Sequence, residues 1–173
     1  MLFRSLGALL LGYAGLTLIR LQPWADPADF YLAMRAQPAL PREMRIFVHN
    51  DLGRVYLERG EFPAARVEFL HALELKPDYA LAHNNMGVLL IREGKPIEAR
   101  RWLETAIRLD PTRSDAYGNL GAAYEAAGDL PAARRAYEAG LRVAPTSAWL
   151  AQGLARVNAG IVESPISQAG TSR

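Results

Sequence analysis

Apolar residues in the middle of the chain return at helical spacing, in paired runs separated by short polar breaks. In one pair, Met86, Leu89, Leu90 and Ile91 lie on the first run; Ile97, Trp102, Leu103, Ala106 and Leu109 lie on the second. This is the i, i+3, i+4 recurrence of amphipathic helices. Large residues hold the same register in neighbouring pairs: Tyr56, Leu90 and Tyr124 on first helices, Phe69, Leu103 and Tyr137 on second helices. One pair of helices cannot bury two apolar faces, so the pairs must stack to make a core.

The breaks are as regular as the runs. Pro77, Pro111 and Pro145 recur every 34 residues, in phase with Gly53, Gly87 and Gly121, with Gly60, Gly94 and Gly128, and with Ala65, Ala99 and Ala133. Gly60, Gly94 and Gly128 follow a helical run and suit a left-handed C-terminal cap. Pro63, Pro96 and Pro131 fit the first turn of the next helix, where no backbone donor is missed. The prolines at 77, 111 and 145 end that helix, since proline disfavours helix in the residue before it. Gly53, Gly87 and Gly121 fall in mid-helix, where glycine costs about 1 kcal/mol against alanine. Close approach of another backbone, opposite Ala65, Ala99 and Ala133, is the expected reason.

This period and these residue types resemble the tetratricopeptide repeat, a helix-turn-helix unit that stacks into arrays. The resemblance implies an all-α, right-handed superhelical solenoid with repeats at residues 46–79, 80–113 and 114–147. Trp149, Leu150 and Leu154 continue the phase, as a capping helix over residues 148–158 would. The family's concave face is lined by first helices, which carries partner binding onto Asn50, Asp51, Arg54, Asn84, Asn85, Arg92, Asn119 and Trp149. Asn85 and Asn119 share one repeat position, with Asp51 in that place in the first unit. An amide there donates and accepts at once, and so suits an extended peptide backbone; helix-surface capping is the competing reading. The family's clamp for a terminal carboxylate maps onto Asn50, Arg54, Asn85, Asp115 and Asn119. Only Asn85 matches, and Asp115 would repel a carboxylate.

Residues 5–19 carry no charge and are bracketed by Arg4 and Arg20. With their flanks they approach the ~20 apolar residues that cross a bilayer. Residues 1–22 therefore read as an uncleaved signal-anchor, a single transmembrane helix with Trp24 at the interface. A cleaved secretory signal and a partner-covered apolar helix are the alternatives. A short basic leader favours an inner-membrane protein with periplasmic or extracytoplasmic repeats, and the Leu, Ala, Arg and Gly richness fits a bacterial chain. Residues 23–45 form a linker in which Asp26 caps a short helix from Pro27, with Phe30, Tyr31 and Met34 on one face. That segment either packs on the first repeat or lies in the groove. Residues 159–173 read as a mobile tail.

Composition narrows the chemistry. A net charge of +2 without a dense basic run gives no footprint for nucleic acid. The absence of cysteine excludes disulfides and thiolate metal sites. His49 and His83 repeat in phase but stack too far apart to share an ion easily, so both read as helix-interface residues. Arg66, Arg100 and Arg134 form a phased column on second helices, with Glu104 and Glu138 placed to pair with the last two. No phosphate loop, nucleophile elbow or catalytic set is recognisable. The expectation is a non-enzymatic, membrane-tethered adaptor or assembly factor for a protein or peptide partner, without cofactor, metal or small-molecule substrate. A permanent structural subunit of a membrane complex is the alternative.

Overall fold

The computed structural model describes residues 26–163 of the chain. The expected anchor at 1–22, with Trp24 and the membrane orientation that depends on it, lies outside the described residues, as does the tail beyond Glu163. Among the described residues no helix is long and apolar enough to cross a membrane.

Eight helices and no strands occur among the described residues. They are α1 (Pro27–Arg35), α2 (Arg42–Glu58), α3 (Phe62–Leu75), α4 (Ala80–Arg92), α5 (Pro96–Leu109), α6 (Ser114–Ala126), α7 (Leu130–Val143) and α8 (Ala148–Glu163). The chain divides into two compact units, one ending at Asp78 and the other beginning at Tyr79.

Each repeat is punctuated in the same way. Gly60, Gly94 and Gly128 have φ of 77°, 76° and 79°, the left-handed conformation that glycine adopts without a Cβ penalty. In the first repeat Gly60 N–H donates to the Leu57 carbonyl at 3.0 Å, and Glu61 N–H reaches back to Tyr56 at 2.9 Å. Lys95 with Leu90 and Asp129 with Tyr124 repeat the longer bond at 2.8 and 2.9 Å. These paired bonds satisfy carbonyls that the helix end would otherwise leave open. Before the phased prolines, Lys76, Asp110 and Ala144 leave the helical region, with ψ of 90°, 89° and 80°.

The mid-helix glycines answer to side chains more than to backbone. A Cβ at Gly53 would lie 2.6 Å from the Phe69 ring, at Gly87 2.5 Å from Leu103, and at Gly121 2.8 Å from the Tyr137 ring. The reason is geometric: fully buried Ala65, Ala99 and Ala133 bring the helices close. The large residue one turn later then has only the glycine to lie over. At Gly53 the Ala65 carbonyl oxygen also comes within 3.2 Å, so the expected backbone approach is a secondary part of the contact.

In the first unit α1 packs on α2, and α2 on α3. Asp26 caps α1 by accepting from Ala28 N–H at 2.8 Å, and Arg59 at the end of α2 donates to the same carboxylate. Apolar contact does the rest: Met34, Leu40 and Val48 form one cluster, and Ala28, Leu52 and Val55 another. The segment before the repeats therefore packs on α2.

In the second unit α4 pairs with α5 and α6 with α7, while α8 closes on α7 and α6. Leu150 and Val157 of α8 are buried with Ala133 and Tyr137. The Tyr137 ring is held between Gly121 and Gly153, whose added Cβ atoms would come within 2.8 and 2.5 Å of it. The helix runs to Glu163, through Gly160, beyond the end expected at 158 and through the start of the expected tail; the first proline in that stretch of sequence is Pro165.

Candidate partner-binding face

In the first unit the lining positions sit on α2. Asn50 is 1% exposed and donates from Nδ2 to Asp51 at 3.3 Å, so it belongs to the interior. Arg54 is exposed and donates to Glu58 at 2.7 Å, one turn along. Tyr31 of α1 reaches the same place; burial, followed by the charge and hydrogen bond of Asp51, raises its phenol above the ordinary range.

The second unit presents these positions differently. Its first helices α4, α6 and α8 are neighbours in sequence α4 to α6 to α8. Asn119 donates to the Asn84 carbonyl oxygen at 2.9 Å, and the Asn84 amide reaches Asp115 at 3.5 Å. Arg113 donates to the same Asp115 oxygen at 3.3 Å. The result is a polar chain that fixes α4 to α6, with Asn84 buried and Asn119 partly open. Asn85, which shares the repeat position of Asn119, is 8% exposed. The two amides therefore stand in unlike surroundings. Arg92 is exposed at the last turn of α4.

Trp149 is 45% exposed, and a Cβ at Gly118 would fall 2.2 Å from its ring. Glycine at 118 is what lets the indole sit directly against α6. Further along, Arg156 of α8 forks onto Glu125 with bonds of 3.1 and 3.2 Å, and the Tyr137 hydroxyl donates to the same carboxylate at 2.9 Å. Burial raises the Glu125 carboxyl, but the hydrogen bonds from Arg156 and Tyr137 outweigh it and hold the group below its ordinary value. Burial first, and Glu125 second, push the Tyr137 phenol up.

On the second helices Arg134 approaches Glu138 at 3.8 Å, whereas Arg100 lies over the Tyr124 ring at 5.3 Å. His83 faces the Trp102 ring at 5.4 Å. His49 faces the His71 ring at 5.2 Å and bonds Glu68 at 2.6 Å. Glu68 and His71 have no counterpart in phase, so the repeat pattern hides them. Their signal was local: Glu and His three apart on one helix, hence on one face.

Comparison with known proteins follows the same lines. The family model described as Tetratricopeptide repeat matches residues 78–146, and that described as TPR repeat matches residues 53–94. The second TPR domain of human RPAP3, solved with an HSP70 peptide SGPTIEEVD, is similar with 22% identity and a TM-score of 0.63, covering 68% of this chain and 98% of that one. The Sgt2 TPR domain from Aspergillus fumigatus gives 24% identity and a TM-score of 0.67, over 74% and 84% of the two chains. MamA from Desulfovibrio magneticus RS-1, residue 41 to its end, gives 19% and 0.65, over 82% and 78%. At these identities the likeness shows the fold. No curated protein matches the chain. With its phased glycine caps, helix pairs and matched family models, the chain belongs to the tetratricopeptide repeat family.

Proposed function

We propose that this protein is a membrane-tethered adaptor or assembly factor that holds a segment of a protein partner on the first-helix face of its repeats. The observation that carries the reading is the half-exposed Trp149 indole on Gly118. An aromatic ring kept at the surface supplies contact area, a feature of an anchoring position, and Asn119, next to Gly118 in the chain, adds a partly exposed amide on the same helix. Related folds support the type of partner: the first TPR of Spaghetti was solved with an HSP90 peptide, and the RPAP3 domain with an HSP70 peptide. A chaperone-tail clamp is not proposed here, because Asp115 occupies one of its cationic places. The tether rests on the uncharged run at residues 5–19, with the repeats on the periplasmic side of an inner membrane. Tethering raises local concentration without a new contact.

The test is a pull-down of the full-length protein from membranes. Trp149→Ala should abolish capture, and Asn119→Ala, at the partly open amide, should weaken it by about 0.5–1.5 kcal/mol for the lost hydrogen bond. Arg100→Ala/Arg134→Ala should leave it intact. Release of the protein by carbonate would remove the tether from the proposal. A second reading, a permanent subunit, draws on exposed apolar side chains of second helices: Ile97 is 63% exposed, Val67 49% and Leu70 40%. Capture abolished by the arginine pair and untouched by Trp149→Ala would favour it.

A further inference from the structure

We propose that His49, Glu68 and His71 form a binding site for a divalent transition-metal ion of the Zn²⁺ type, within the first unit. Each offers a ligand atom, and these atoms all lie within 4.8 Å of one another. His49 comes from α2; Glu68 and His71 come from one face of α3, three residues apart. Two imidazoles and a carboxylate are a donor set that Zn²⁺ accepts, leaving a fourth position for water or a partner's side chain.

Two details point to an ion beyond the mere cluster. The Nδ1 of His71 is buried and has no hydrogen-bond partner among the described residues. Burying an unmet nitrogen of that kind is costly, and a metal ion taken by that nitrogen would satisfy it. The second detail is support from behind. Glu68 is 5% exposed, and while Oε2 faces His49 at 2.6 Å, its other oxygen accepts from Arg35 at 2.7 Å. A carboxylate ligand held by an outer hydrogen bond is oriented for coordination. Metal–ligand bonds of about 2.0–2.2 Å put tetrahedral ligand atoms roughly 3.4 Å apart. The His49–Glu68 hydrogen bond would then give way to coordination of both groups, and the His71 ring would turn inward. His49 keeps 14% of its side chain exposed, which leaves a way in from solvent.

The competing account is a buried network of Arg35, Glu68 and His49 that binds nothing. Tag-free, full-length protein in detergent, stripped with chelator, would be titrated with ZnCl₂ and separately with CoCl₂. The proposal expects one ion per chain, the visible absorption of four-coordinate Co²⁺, and a melting temperature that rises with Zn²⁺ by mass action. His71→Gln and His49→Gln should each weaken binding at least about tenfold. His83→Gln, the remaining histidine, should bind as the parent does. Circular dichroism checks folding, and either ligand variant suffices if the other fails to fold. No stoichiometric binding, or equal binding by the parent and a folded ligand variant, overturns the site and leaves an ion-pair network only. The partner-binding pull-down turns on residues of the second unit, none of them a proposed ligand, so the two proposals fail separately.

Discussion

The slot between first and second helix is occupied by different chemistry in the first two repeats. His49 and His83 hold the same position, but His49 meets Glu68 and His71, whereas His83 meets Trp102 and shares a cleft with Thr105. In the first unit a buried carboxylate is shared by His49 and Arg35. In the second an indole lies tilted at 37° to the histidine ring, beside a cleft lined also by Glu98 and Arg101. Burying a carboxylate is expensive without a partner, and the partner here is Arg35 of α1, a helix outside the repeat period. The difference teaches that the period dictates backbone geometry while the slot's contents follow what each unit's neighbours supply.

The shared backbone is the part that should break most expensively. A Cβ at Gly87 already falls 2.5 Å from Leu103, and at Gly53 2.6 Å from Phe69. Gly53→Leu and Gly87→Leu should each cost at least about 1–3 kcal/mol by overpacking. Thermal melts of each variant measure this. An unchanged melting temperature in either would mean that the two repeats do not share the close contact.

The slot contents predict a smaller and more particular effect. Arg35→Ala leaves Glu68 buried with only His49, and should destabilise the protein by about 1–3 kcal/mol. Glu68→Leu removes the buried carboxylate altogether; it should cost under about 1 kcal/mol, because the Arg35 side chain left behind is 41% exposed and no buried charge goes unpaired. Adding Arg35→Ala to Glu68→Leu should then cost little more. Denaturant unfolding in the presence of chelator gives all three values, and additive losses would refute the dependence of Glu68 on α1.

What the sequence made legible follows from the same division. The caps at Gly60, Gly94 and Gly128 and the breaks before Pro77, Pro111 and Pro145 are backbone requirements that repeat with the period, so they could be read directly. Gly53, Gly87 and Gly121 were legible as close contacts, but the ring or leucine lying over each was not, because a glycine records room without saying what fills it. Asn50 was read as lining a face and is interior, since one-residue differences in helical phase decide exposure. Glu68 and His71 were missed because their counterparts are Trp102 and Thr105, then Ala136 and Ala139; comparing units in phase averages such residues away. The seating of Trp149 on Gly118 was not legible, as it joins the closing helix to a residue of the third repeat.

The smallest expected effect concerns the pair that ties the closing helix of the second unit. Glu125 and Arg156 bond at 3.1 and 3.2 Å, with Glu125 about a third exposed at 29% and Arg156 at 55%. Solvent screening keeps such a pair to under about 1 kcal/mol. Burial opposes the charge on Glu125, yet Arg156 and Tyr137 hold its carboxyl below the ordinary 4.5. A lowered folded value means that the unfolded chain binds the proton more readily. The contribution is therefore fully present above pH 4.5 and is lost as pH falls through the depressed value. Arg156→Ala should lower stability slightly at about pH 7, and its deficit should shrink as pH falls through the depressed value and the carboxylate is protonated in both. The first unit carries an analogous tie between Asp26 and Arg59, where the Ala28 N–H and then Arg59 lower the carboxyl. If Arg156→Ala stayed equally destabilising in acid, the loss would come from packing of the arginine stem on α6. The closing helix would then be held by apolar contact alone.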